Sequence, residues 1–128
     1  MAENPHQTTF SGPHTTVTRA PTPHIGRRND GIAIFELRVV RGHPTVIKYK
    51  WSSHRRSPQK FTAWFRNVKT QEHYKAQQTV WTSDGHGQLK VTSLPRIIEE
   101  YQLVLTQYNN YSNDYAHSSN FWIRPGDF

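Results

Sequence analysis

From Gly31 onward, apolar and polar positions alternate with a period of two, the pattern of strands buried on one face. Ala33, Phe35, Leu37 and Val39 share one face, and Ile34, Glu36, Arg38 and Val40 the other. The run stops at Arg41-Gly42-His43-Pro44, a turn by composition. In the next run Ile47, Tyr49 and Trp51 point one way and Val46, Lys48 and Lys50 the other, so the lysines set the polar side toward water. A polar loop over residues 52–59 precedes a third run, in which Phe61, Ala63 and Phe65 alternate with Lys60, Thr62, Trp64 and Arg66.

The pattern then weakens. Residues 67–78 are polar and suit either an edge strand or a long crossover. A strand is predicted over 79–82, Ser83-Asp84-Gly85-His86-Gly87 is a strong turn signal, and alternation resumes over 88–92 with Leu89 and Val91 inward. Residues 93–100 have room for a short helical turn, but Pro95 and the small length oppose a helix of any size. Strands follow at 101–105 and at 120–124, the latter with Phe121 and Ile123 inward and closed by Pro125-Gly126.

About seven short strands and no helix of amphipathic length predict an all-β fold, an immunoglobulin/fibronectin III-like Greek-key β-sandwich with its crossover near residues 67–78. Trp51 closes one strand and Tyr101 opens another, the kind of aromatic pair that pins two sheets together.

Residues 1–30 carry Thr, Pro and His with almost no apolar periodicity. They read as an extended or disordered arm, and residues 31–128 as the sandwich. Pro5, Pro13, Pro21 and Pro23 favour extended backbone suited to lying along a partner surface.

Composition narrows the chemistry. The chain of 128 residues is long enough for one domain with a core. Its 16 Lys and Arg against 9 Asp and Glu leave a net charge of +7, which favours anionic partners without choosing among them. With no cysteine, disulfides, thiolate metal sites and cysteine nucleophiles are excluded. No apolar stretch is long enough to span a bilayer, and residues 1–13 lack the basic start and apolar run of a secretory signal, so the expectation for a complete chain is non-exported, cytoplasmic or virion, and for a mature fragment it does not hold.

Val46 to Trp51 with Ser52-Ser53, the turn Asp84 to Gly87, Leu94-Pro95, Tyr101-Gln102-Leu103-Val104-Leu105 and Ser118-Ser119-Asn120-Phe121-Trp122-Ile123 resemble the fungal Kre9/Knh-type, Ser/Thr-rich GPI-anchored wall-protein domain over roughly residues 31–124. The Trp51, Leu94, Pro95 and Tyr101 group is also similar to fibronectin type III domains. The wall-protein resemblance implies a binding or structural module in β-1,6-glucan assembly, extracellular or in the cell wall, with no catalytic residue to carry over. These 128 residues contain no run with the pattern of a signal peptide, a Ser/Thr-rich stalk or a hydrophobic GPI tail, a departure from the pattern of that family.

For chemistry, the basic run Lys48, Lys50, Arg55, Arg56, Lys60, Arg66, Lys69 and Lys75 faces Glu72 alone, with Trp64 and Tyr74 interleaved. Cations with aromatics can hold phosphates and stack bases. In a sandwich, however, Lys48 and Lys50 would point away from Lys60 and Arg66, leaving the loop His54-Arg55-Arg56, with Lys60, as the local polyanion patch. A solvated basic surface is the plainer reading, and nucleic acid is not the favoured partner. The eight histidines show neither HExxH nor HxH spacing, so neither metal nor cofactor is expected. Glu99 and Glu100 are adjacent and point to opposite faces of a strand, and no nucleophile elbow is present, so no enzyme is expected.

Residues 107–120 are rich in Tyr, Asn and Ser, the residues of adaptable binding loops, and suit sugar stacking as well. A long hairpin turn with Tyr115 tucked into the core edge is the equal alternative. Asn110-Tyr111-Ser112 is also a glycosylation sequon. The expected working surface is Trp64 with Tyr108, Tyr111 and Tyr115, binding a protein or glycan. The alternative is a self-assembling capsid or filament subunit, a homo-oligomer joined through arm and edge strands, whose basic loop meets nucleic acid.

Overall fold

The computed structural model describes residues 7–9, 15–18, 31–92, 94 and 99–124. The chain order is β1 (Gln7–Thr9), β2 (Thr15–Thr18), β3 (Ala33–Val40), β4 (Val46–Ser52), β5 (Lys60–Asn67), β6 (His73–Trp81), a 3-10 turn (Thr82–Asp84), β7 (His86–Lys90), β8 (Glu99–Gln107), β9 (Asn110–His117) and β10 (Phe121–Ile123). The first sheet runs β1-β2-β3-β4-β7, and the second β10-β8-β5-β6 with β9 also on β8. Every strand pair is antiparallel, so the protein is an all-β sandwich.

The core lies between the sheets because each inward set comes from one alternation. Leu37, Val39, Ile47, Tyr49, Trp51 and Leu89 meet Phe61, Phe65, Tyr101, Leu103, Leu105 and Phe121 across the gap. Trp51 and Tyr101 are both buried and belong to opposite sheets. The Trp51 ring meets the Phe61 ring edge-on at 5.1 Å, and its Nε1 donates to the Thr82 carbonyl at 2.9 Å, which ties the 3-10 turn to the core. Full burial of such a side chain contributes roughly 1.5–3 kcal/mol.

Three readings from sequence are corrected here. Phe35 does not share the buried face of Leu37 and Val39: a bulge between Ile34 and Glu36 turns Ile34 inward and leaves Phe35 47 % exposed. Of the two readings of residues 67–78 the edge strand holds and the crossover does not, since β5 and β6 form a hairpin there with β6 at the sheet edge and Asn67 N–H donating to the Glu72 carbonyl at 2.9 Å. The chain changes sheets instead between β4 and β5, between β6 and β7, and between β7 and β8. Residues 107–120 are not an open loop, because β9 occupies most of that span and only Tyr108 and Asn109 form the turn.

Within the segment read as an arm, β2 pairs with β3 from Thr15 opposite Val40 to Thr18 opposite Leu37, and β1 pairs with β2. The rest of residues 1–30, the helical turn considered within 93–100 and the closing Pro125-Gly126 fall on or across positions outside the described residues. No helix among the described residues is long and apolar enough to cross a membrane.

Candidate binding face on the second sheet

The outward alternation of β5 sets Thr62, Trp64 and Arg66 on the solvent side of the second sheet. Trp64 is nonetheless 7 % exposed. Its Nε1 donates to Thr106 Oγ1 on β8 at 2.7 Å, while Tyr111 from β9 covers it edge-on at 5.5 Å and Lys75 Nζ from β6 stands 5.5 Å from its ring centroid. His73 stacks on Tyr111 at 4.7 Å and meets Trp64 edge-on at 6.1 Å. Tyr111 itself remains 55 % exposed, so the cluster presents one phenol ring to solvent above a buried indole.

Charge borders this cluster. Arg66 Nη1 donates to Asp114 Oδ2 at 3.1 Å, and Arg66 Nη2 donates to Gln102 Oε1 at 2.8 Å. The His73 imidazole titrates below its ordinary value, first because it is partly buried and second because the Arg66 cation is near, with Asp114 opposing.

A second group of side chains continues the row toward the β8–β9 turn. Lys60 Nζ stands 4.0 Å from the Tyr108 ring centroid and 6.0 Å from that of Trp81, which is 52 % exposed. Gln78 Nε2 donates to the Tyr108 hydroxyl at 2.7 Å, and this bond, with a second from Thr79, lowers the phenol pKa, the Lys60 and Lys75 charges acting in the same direction. Asn109 holds the turn with φ 56, a left-handed conformation that Asn tolerates, and its Oδ1 accepts from Lys75 Nζ at 2.9 Å.

The four aromatic candidates therefore divide. Tyr108 and Tyr111 lie on this face, Trp64 lies beneath Tyr111, and Tyr115 is 7 % exposed within the core cluster, which removes it from the surface. The bulge between Leu105 and Thr106 is what turns Tyr115 inward.

The basic candidates divide as well. His54 shapes its own loop: its N–H donates to Ser57 Oγ at 3.0 Å, its Nδ1 accepts from the Arg56 N–H at 3.1 Å, and its ring fills the space where a side chain on Gly31 would stand. Arg55 and Arg56 are exposed. Arg55 lines a cleft of about 550 Å³ with Ser53, His54, Pro58, Trp81 and Thr82. Lys60 joins the same end of the molecule through Trp81. Lys48 and Lys50 lie on the first sheet, where Lys50 and Arg38 share Glu36, each at 3.9 Å.

Sequence reasoning missed Trp81, His73 and Gln78, and took Asn109 and Asp114 only as part of the segment 107–120. Trp81 stands immediately before the turn signal, where an exposed strand-end aromatic is legible as a candidate. Among the described residues no group of three His, Cys, Asp or Glu is placed to hold a metal ion. Comparison of the chain with protein-family models, with curated proteins and with solved structures gives no match.

Proposed function

We propose that this chain is a non-enzymatic binding module that takes a glycan on the outer face of its second sheet. The observation that carries this reading is the row of rings outside the core, Trp81 and Tyr111 exposed and Tyr108 partly so, separated by Lys60, Lys75 and Asn109. A protein interface wants a contiguous apolar centre depleted of charge, and this row is interrupted by polar groups at each step. A sugar ring offers an apolar face to stack on an aromatic and a rim of hydroxyls for amide and ammonium partners, which matches the interruption. Stacking on His73 and the bond from Gln78 hold Tyr111 and Tyr108 in place, so little ordering is lost on binding. The carboxylate of the row, Asp114, is engaged by Arg66, which favours a positioning role over general acid or base work. The resemblance to the wall-protein domain points the same way.

Binding of the full chain to a panel of immobilised polysaccharides tests this. Tyr108→Ala and Tyr111→Leu, the latter keeping apolar cover over Trp64, are expected to weaken glycan binding about tenfold, the scale of one stacked ring. A folded chain that binds no glycan, or binds one equally well in both variants, would overturn the reading.

A second reading is favoured by one observation, the backbone pairing of β2 with the edge of β3. In a self-assembling subunit the same pairing would be made with β3 of a neighbouring copy. Concentration-dependent oligomers that vanish on removal of residues 1–18 would support it, and a monomer at all concentrations would refute it.

A further inference from the structure

The cleft beside Trp81 has features that a neutral sugar does not require. Its loop is braced by the Ser57 N–H donating to the His54 carbonyl at 2.9 Å and by the Arg56 N–H donating to His54 Nδ1 at 3.1 Å. Arg55 and Arg56 therefore project from a fixed turn. Among the described residues no carboxylate lies within ion-pair distance of Arg55, Arg56 or Lys60. Three other cations have an internal counter-charge, Asp114 for Arg66 and Glu36 for Arg38 and Lys50. At the cleft of about 550 Å³, Arg55, without a carboxylate partner among the described residues, is a lining residue together with the half-exposed Trp81, and the Lys60 ammonium stands 6.0 Å from the Trp81 ring.

We infer that the cleft lined by Arg55 and Trp81 is a subsite for an acidic sugar residue of the bound glycan, a uronic acid whose carboxylate meets Arg55 while its ring packs on the indole. The inference rests on the glycan reading above and names the ligand's class. A guanidinium pairs a carboxylate through two parallel N–H donors, a geometry an ammonium does not offer. Arg56 and Lys60 add field without a fixed direction. A single-stranded nucleic acid would need cations tracking its backbone, whereas Arg66 is paired with Asp114, Lys75 is engaged by Asn109 and the Trp64 ring, and Lys48 and Lys50 lie on the opposite sheet.

The test compares polygalacturonate with its fully methyl-esterified form, the same sugar without the charge, by calorimetric titration of the full chain. Polygalacturonate is expected to bind at least about tenfold tighter, the equivalent of one charge-assisted hydrogen bond, with the preference shrinking as salt rises. Arg55→Ala with Arg56→Ala should remove the preference, the affinity for polygalacturonate falling to that for the ester, and Trp81→Ala should weaken both ligands while Trp81→Phe restores them. Equal binding of the two polymers, indifferent to the arginine variants, would overturn the acidic subsite and leave the glycan reading standing. Binding of neither polymer would overturn the subsite, and the glycan reading with it if the polysaccharide panel is also negative. Equal affinity for oligo(dT), with no effect of Trp81→Ala, would replace the subsite with an unspecific polyanion surface.

Discussion

The His73 imidazole lies against the Tyr111 phenol with ring centroids 4.7 Å apart and planes 22° from parallel. Burial and the Arg66 cation hold this imidazole below its ordinary value of 6.5, so the fold favours the neutral ring. With the folded pKa depressed, the stabilising contribution is complete above the unfolded value and is lost as pH falls through the folded one, because the unfolded chain binds the proton first. Urea midpoints are expected to fall more steeply between about pH 7 and pH 5 in the wild type than in His73→Gln. Parallel midpoint curves for the two proteins would remove His73 from the account.

Arg66 joins the same cluster to β8 and β9. Its side chain is 13 % exposed and that of Asp114 32 %, so their contact at 3.1 Å is less screened than an open surface pair. A double-mutant cycle of Arg66→Ala and Asp114→Ala is expected to return a coupling of about 1 kcal/mol, the upper end of the range for exposed pairs. Because Asp114 pulls the His73 pKa upward against the other influences, Asp114→Asn should lower it further, read from the His73 ring protons by NMR. A rise in that pKa would contradict the arrangement.

Inside the sandwich, Tyr49 is 1 % exposed, and among the described residues its hydroxyl has no hydrogen-bond partner. Burial, reinforced by the Asp84 charge, pushes that phenol well above its usual titration range. A buried hydroxyl without a partner carries a desolvation penalty of about 1–3 kcal/mol, so Tyr49→Phe is expected to be neutral or stabilising in urea unfolding. The ring is accommodated by Gly87 opposite it on β7, where an added Cβ would fall 2.9 Å from the Tyr49 ring. Gly87→Ala should therefore cost about 1–3 kcal/mol through overpacking. Tyr49→Phe alone does not relieve that clash, since two of the three near atoms are ring carbons.

How much of this was legible in the sequence depended on bulges. Where alternation runs unbroken, in β4, period two identified both the strand and its buried face, and Trp51 and Tyr101, read as an aromatic pair, both lie in the core. Where a bulge interrupts pairing, the period slips by one and the signal fails. That happened at Phe35, in β6 opposite the bulges beside Ala63, and in β9 opposite the bulge at Leu105. The candidate face was half-legible for a related reason. Trp64 and Tyr111 could be nominated by residue type, but Trp81, His73 and Asp114 join them only through the pairing of β5 with β6 and of β8 with β9. That pairing is not written in local periodicity.

A buried hydroxyl ties the backbone of the turn that carries Tyr108 and Asn109 to the sheet. Thr62 Oγ1 accepts from the Asn109 N–H at 2.8 Å and donates to the Gln78 carbonyl at 2.7 Å, and Thr62 is fully buried. Thr62→Val keeps the shape and removes both bonds, leaving a backbone donor on the turn and a backbone acceptor on β6 unpaired. The expected cost is about 1–3 kcal/mol, with Thr62→Ser close to wild type because it retains the hydroxyl. The loss should be local as well as global, since Gln78 also holds the Tyr108 hydroxyl and a loosened β6 backbone would release that ring. Hydrogen exchange at the Asn109 amide is therefore expected to accelerate in Thr62→Val beyond the change in overall stability. An Asn109 amide as well protected in Thr62→Val as in the wild type would show that the hydroxyl does not hold the turn, and the rigidity ascribed to Tyr108 would then need another source.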